Sequence, residues 1–267
     1  MMGDILERII ACKRREIEQW KSERPLTMLA QEAEKTVDTP VQGGSMRKSL
    51  MGAIGGYGII SEFKRRSPSK GWIKEGADAS VIPMGYQQNG ASALSILTDG
   101  GFFGGSDSDI IKARASGVEL PVLYKNFIID EYQLFQARKC GASAVLLIAA
   151  CLTRMECRQL LDRAHSMGLE VLLEMHSADE MNYAELEPDM YGINNRILGT
   201  FITNVENSFK MVDMLPKEVC KVSESGISDA AVIRSLAEAG FQGFLIGERF
   251  MKEDNPGVAL GQFIAEI

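Results

Sequence analysis

Glu62 and Lys64 stand two residues apart at the end of an apolar run, Ile59-Ile60-Ser61-Glu62-Phe63-Lys64, and Arg65-Arg66-Ser67-Pro68-Ser69-Lys70-Gly71 follows. On a β-strand that spacing puts both charges on one face. Strands of a helix-covered parallel sheet are normally apolar throughout, so a charge pair held there carries a desolvation cost that a scaffold does not need. The pair reads either as acid–base chemistry or as a solvated strand end whose charges face water. The choice turns on whether other strand ends repeat it.

They do. Lys125 follows the apolar run Pro121–Tyr124, Glu174 follows Val171–Leu173, and Asn194 and Arg196 follow Met190–Ile193. Glu224, Ser225 and Gly226 come after Val219–Val222, and Gly247 after Gly243–Ile246. Singly, each has an ordinary alternative: a solvated lysine, a helix-capping glutamate, an asparagine turn. Together, lysines and glutamates converging on one mouth tune each other's protonation and suit general acid and general base roles. Ser225-Gly226 and Gly247 leave backbone N–H groups open to a phosphate, or serve plain turn chemistry, and Arg196 offers a fork of donors to the same anion. Gly100-Gly101-Phe102-Phe103-Gly104-Gly105 reads as a loop that closes over a ligand with an aromatic tip, or as simple flexibility. His176, two residues beyond Glu174, reads either as a residue lining the mouth or as a lone loop histidine, and is not taken as a site residue.

Positioning these groups falls to a repeated pattern. Eight short apolar runs, the five that end at Tyr124, Leu173, Ile193, Val222 and Ile246 together with Tyr57–Ile60, Ala93–Leu97 and Ala144–Ile148, alternate with amphipathic stretches such as 107–116, 131–139, 153–166 and 228–239. Those stretches are long enough for the crossovers that parallel strands require. Ser228-Asp229 opens one helix, and Gly141, Gly168 and Gly240 close others. Eight β/α units imply an α/β fold of the closed (β/α)8 type, the TIM barrel, whose active sites form at the C-terminal strand ends. An open doubly wound sheet would carry Gly-x-Gly-x-x-Gly after its first strand, which is absent. Residues 1–56 read as an N-terminal helical extension, with an amphipathic helix over 5–20, a shorter one over 26–34 and a weakly patterned polar segment over 35–56; residues 57–267 hold the eight units of a single barrel domain.

Composition agrees. At 267 residues the chain is close to the ~250 typical of one such barrel. A formal charge of −7 argues against a nucleic-acid or anionic-membrane binder, so any bound anion needs a local site. Five scattered cysteines and two histidines fit reduced thiols in a cytoplasmic protein and make a metal site improbable. The longest apolar run, 144–152, is far too short to span a bilayer.

Taken in order, the motifs Ser61-Glu62-Phe63-Lys64-Arg65-Arg66-Ser67-Pro68-Ser69-Lys70-Gly71, Ser95-Ile96-Leu97-Thr98-Asp99, Phe103-Gly104-Gly105-Ser106, Lys125-Asn126-Phe127, Gly192-Ile193-Asn194-Asn195-Arg196 and Ser223-Glu224-Ser225-Gly226-Ile227 resemble those of the indole-3-glycerol phosphate synthase family. The resemblance implies cofactor-free ring closure of 1-(2-carboxyphenylamino)-1-deoxyribulose 5-phosphate, a small phosphorylated aromatic substrate, in a monomer or weak homo-oligomer. It further implies Lys125 as the acid on the carbonyl oxygen, with Glu174 and Lys64 assisting later proton transfers. Glu62, Asn194, Glu224 and Ser225 would then orient the intermediate. Phosphate would lie near Lys64, Arg196, Gly226 and Gly247, with Ser67, Pro68, Phe103, Phe127 and Leu198 lining the rest. The chain departs from the family's usual pattern at Tyr124 and Asn126, neutral where charged residues flank the lysine, and at Ile197, where a polar residue is usual. Two other readings are a phosphate-binding Schiff-base aldolase, with Lys125 or Lys64 as nucleophile, and a non-catalytic barrel subunit.

Overall fold

The computed structural model describes residues 5–37, 39–197 and 202–267. Its centre is a closed barrel of eight parallel strands: β1 (Gly58–Phe63), β2 (Ala93–Leu97), β3 (Val122–Lys125), β4 (Ala144–Ile148), β5 (Glu170–Met175), β6 (Met190–Asn194), β7 (Cys220–Glu224) and β8 (Gly243–Ile246). Each strand pairs with the next, and β8 closes on β1 through Gly58–Gly243 to Ser61–Ile246. All eight expected runs are strands. β1 extends to Phe63 with every residue buried, which places Glu62 inside the strand rather than past its end.

Period-two alternation sorts the side chains. Ile60, Ala93, Leu123, Ala144, Leu146, Leu172, Met190, Val222 and Leu245 form one cluster within the barrel. Ile59, Leu94, Val122, Val145, Leu147, Val171, Leu173 and Phe244 belong to the larger cluster under the helices. The helices start and stop where the chain supplies caps. Asp229 accepts from the Ala231 N–H, Thr153 and Glu156 form a reciprocal capping box, and Gly141 and Gly240 take φ values of +94° and +105° at helix ends.

The extension forms α1 (Ile5–Glu23), α2 (Leu26–Val37) and α3 (Met46–Met51). α1 is fastened over the loops that follow β2 and β3. The Lys13 ammonium, only 1 % exposed, lies 2.8 Å from Asp99 and 2.6 Å from Glu16, Lys21 lies 2.6 Å from Asp130, and Trp20 stacks on Tyr132 at 6.3 Å. Burial alone would lower the Lys13 pKa, but Asp99 and Glu16 outweigh it and hold the ammonium charged.

α3 lies in the segment that the sequence reading leaves as weakly patterned and polar. Six residues are too few to show helical periodicity. Its buried residues, Met46 and Leu50, nevertheless complete the cluster inside the barrel, and Leu50 fits because β1 and β8 both start with glycine. A Cβ at Gly58 would stand 2.9 Å from Leu50, and one at Gly243 would stand 3.2 Å from it. Ser45 caps α3 through the Lys48 N–H and also donates to Glu170, whose other oxygen accepts from the Arg47 N–H. α3 is therefore the plug of the N-terminal end. Leu50→Ala should destabilise folding by about 2–5 kcal/mol, as for other fully buried leucines, whereas Met51→Ala, at a position 49 % exposed, should change it little. Urea unfolding midpoints of the two variants check this ordering, and equal midpoints would remove the plug.

Candidate active site

The inward series of each strand continues upward from an apolar residue to a chemical one. Ile60 leads to Glu62 and Lys64, Leu123 to Lys125, Leu172 to Glu174 and His176, Met190 to Asn194 and Arg196, Val222 to Glu224, and Leu245 to Gly247. Pairing register sets their heights: Asn194 lies beside Glu224, Leu97 beside Lys125, and Glu174 beside Gly192. Apolar below and polar above is the strand-level cause of the site.

A cavity of about 420 Å³ opens at this end. It is lined by Glu62, Lys64, Lys125, Glu174, Asn194, Glu224 and Ser225, and by Ser67, Pro68, Phe103, Phe127, Arg196, Gly226 and Gly247. The structure thus brings together every sequence-derived site residue except Leu198, which lies outside the described residues. Leu146 and Ile148 of β4 supply an apolar wall, and Phe103 meets Phe127 with ring centroids 5.9 Å apart. The glycine-rich segment carrying Phe103 is a capped turn rather than a free loop. Asp99 accepts from the Phe102 N–H at 2.8 Å, the helical turn spans Gly100–Phe103, and Gly104 ends it at φ +66°.

At the floor, Lys125 Nζ donates to Glu224 Oε2 at 2.6 Å and to Glu174 Oε2 at 3.1 Å. Burial would lower the lysine's pKa, but the Glu224, Glu174 and Glu62 carboxylates overcome it and raise the pKa above the ordinary lysine value. The two glutamates diverge. Burial raises both, yet Lys125 and His176 hold Glu174 well below the usual carboxylate range, while Glu224, with Lys125 opposing and Glu174 repelling it, is pushed up to about 7. At neutral pH Glu224 therefore carries the shared proton of the pair for part of the time. Across the mouth, Lys64 donates to Glu62 at 2.6 Å.

Two glycines make room for the carboxylates. A Cβ at Gly192 would come within 2.5 Å of Glu224 Oε1, and one at Gly247 within 2.5 Å of Glu62 Oε1. Ser225 takes a left-handed φ of +70°, with Gly226 next to it at +75°. Asn195 fixes that turn by donating to the Ser225 carbonyl and to Ser223 Oγ while accepting from Ser208. At the rim, Arg196 Nη1 donates to Ser69 Oγ at 3.2 Å, and among the described residues no carboxylate pairs with it. Arg65, by contrast, belongs to the scaffold: its guanidinium makes a two-bond fork on Asp109 and also donates to the Ala77 and Gly104 carbonyls.

Sequence reasoning missed several contributors. His176 continues the period-two series of β5 into the cavity, a signal available from Glu174 alone. Gly192 was legible only as part of the strand run Met190–Ile193, and Asn195 only as a turn residue. Ile5, Leu6 and Ile9 of α1 also line the cavity, and nothing local in the sequence places them there. The neutral flanks of the lysine have partners of their own, since Tyr124 donates to Asp107 at 2.8 Å and Asn126 to Thr98 at 2.8 Å.

Comparison with known proteins bears on the family. A family model described as indole-3-glycerol phosphate synthase matches residues 6–263. An indole-3-glycerol phosphate synthase of Bacteroides thetaiotaomicron is 52 % identical over 266 residues, covering 100 % of both chains. One of Burkholderia ambifaria is 43 % identical, covering 98 % of this chain and 99 % of its own. Among solved structures, a tryptophan synthase complex of Pyrococcus furiosus aligns at TM-score 0.59 with 12 % identity, over 79 % of this chain and 97 % of that one. A 3-hexulose-6-phosphate synthase aligns at 0.60 with 13 % identity, over 78 % and 99 %. These two show the barrel fold alone. A match along almost the whole chain, with relatives identical at about half of all positions, settles the family: the chain belongs to the indole-3-glycerol phosphate synthases, carboxy-lyases of tryptophan biosynthesis.

Proposed function

We propose that the cavity closes 1-(2-carboxyphenylamino)-1-deoxyribulose 5-phosphate to indole-3-glycerol phosphate, with Lys125 as general acid. The observation that carries this assignment is the Lys125 ammonium held charged between two carboxylates below an apolar wall. The ring carbon bearing the carboxylate attacks the ketone carbon, and the carbonyl oxygen takes the Lys125 proton as the C–C bond forms. Carbon dioxide then leaves, its bonding electrons restoring the aromatic ring. The new hydroxyl departs as water with a proton, and the CH2 carbon beside the nitrogen loses a proton, forming the double bond that makes the five-membered ring aromatic. Glu174, kept ionised by its two cationic neighbours, suits the acceptor role, and Lys64 suits the donor to the departing hydroxyl.

Glu62, Asn194, Glu224 and Ser225 orient the intermediate in this reading. Leu146, Ile148, Phe103 and Phe127 receive the aromatic ring, with Ser67 and Pro68 enclosing the remainder. The phosphate falls to Lys64, Arg196 and the turns at Gly226 and Gly247, where a fork of donors and open backbone N–H groups suit a dianion. The extension and barrel act as one unit, since α1 supplies part of the cavity wall. The five free cysteines support a cytoplasmic setting.

A Schiff-base lysine must be neutral to attack, whereas Lys125 is held as the ammonium. Borohydride with a keto-sugar phosphate should therefore leave the protein unmodified; a trapped adduct on Lys125 would transfer it to aldolase chemistry. Lys125→Ala should lower kcat at least about a hundredfold with the circular dichroism spectrum unchanged, and surviving turnover in a fluorescence assay for indoleglycerol phosphate would end its role as acid. Arg196→Ala should act chiefly on KM for the phosphorylated substrate, and a KM equal to that of the parent would take it out of the phosphate site. Because the folded pKa of Glu224 is raised, its contribution to stability is full below the ordinary value of 4.5 and is lost as pH rises through about 7. Glu224→Gln should thus gain stability relative to the parent between pH 5 and pH 8, measured by urea unfolding at both; a constant difference would refute the raised pKa.

A further inference from the structure

His176 is buried at the wall of the cavity, 6 % exposed, with both ring nitrogens directed at carboxylates. Nε2 lies 3.1 Å from Glu174 Oε1, and Nδ1 lies 3.7 Å from Glu180 Oε2. The same Glu180 oxygen accepts the His176 backbone N–H at 2.6 Å, and the Asn207 amide donates to the His176 carbonyl, so the backbone that carries the ring is held from two sides. Glu174 is in turn gripped through its other oxygen by Lys125, and Lys125 by Glu224. Glu180, His176, Glu174, Lys125 and Glu224 thus form a chain of alternating sign across the barrel mouth.

The chain has a consequence for turnover. When Lys125 passes its proton to the ketone oxygen it becomes a neutral amine, and Glu174 loses one of its two cations at that moment. An unpaired buried carboxylate would then be driven to take up a proton or to shift. We propose that His176 is a positioning residue whose imidazolium, clamped by Glu180, keeps Glu174 an oriented carboxylate while Lys125 is uncharged. This rests on the assignment of Lys125 as acid and Glu174 as proton acceptor. Proton balance holds: one proton moves from Lys125 to substrate oxygen, and none moves along the histidine. Burial would favour the neutral ring, but Glu174 and Glu180 outweigh it and raise the His176 pKa to about 10. The Cys151 thiol, which also faces these carboxylates, stays neutral because burial and both glutamates push its pKa up.

With only two histidines, the protein's imidazole ¹⁵N spectrum can be read directly, and His165→Gln assigns the pair. His176 should remain doubly protonated at pH 8 in the full chain; a neutral ring there overturns the proposal whatever the kinetics. His176→Gln keeps a donor for Glu174 but removes the charge. Its kcat should fall at least about tenfold with KM within about twofold, and the acid limb of its kcat–pH profile should move up by about one unit. Unchanged kcat and an unmoved limb would reduce His176 to packing. Should His176→Gln lose its folded circular dichroism spectrum, Glu180→Gln carries the test: the His176 pKa should drop and the acid limb should shift upward less far, and no shift in either overturns the clamp. Glu174→Gln run in parallel separates the two readings, since parent-like turnover there removes Glu174 as acceptor while the ¹⁵N result still reports the state of His176.

Discussion

One buried ammonium organises the mouth of this barrel. Lys125 is set among three carboxylates of different strands, and burial of so many charges is tolerable only because they alternate in sign, Glu224 and Glu174 bonding Lys125 while Glu62 bonds Lys64. Neither glutamate would have its present protonation without the lysine, and the lysine would not stay charged without them. This mutual dependence also separates the pair. Glu174, with a second cation at His176, is an anion throughout the neutral range, whereas Glu224 titrates near the middle of it. A set of buried charges thereby holds one group protonated, one ionised and one near its point of titration.

Positioning such a set demands a rigid floor. Parallel strands in a closed barrel have no free edge and little freedom of register, so residues at successive strand ends keep their relative heights. The floor is packed by inward apolar side chains and sealed from the opposite end by α3. α1 then closes one side of the cavity, anchored by the Lys13 and Asp99 pair that also holds the helical turn carrying Phe103. The extension and the strand ends are coupled through that one carboxylate, which caps a helix on one side and neutralises a buried lysine on the other.

The strands were legible because each is a short apolar run, and the catalytic candidates because charged residues end those runs. Period two does the rest: once Leu123 and Leu172 are known to face inward, Lys125 and Glu174 follow. His176 obeys the same rule but was discounted, since β5 runs to Met175 and the residue beyond looks like loop when the strand is drawn short. α3 stayed hidden because six residues with three apolar side chains carry no periodic signal, and its role is set by where the barrel's open end lies. The contribution of Ile5, Leu6 and Ile9 to the cavity was equally unreadable. An amphipathic helix announces that it has a buried face, and only tertiary packing says against what.

The glycines under the carboxylates bear on how such a site can change. At Gly192 and Gly247 the space a side chain would occupy is already filled by Glu224 and Glu62, and at Gly58 and Gly243 by Leu50 and its neighbours. These four positions therefore have no slack: enlarging a residue there displaces a charge above or a plug below. Room to vary exists only at the rim, in the loops bearing Ser67, Phe103 and Arg196. A descendant of this protein accepting a larger or differently shaped molecule would have to acquire that tolerance from the loops, while inheriting the same reactive floor.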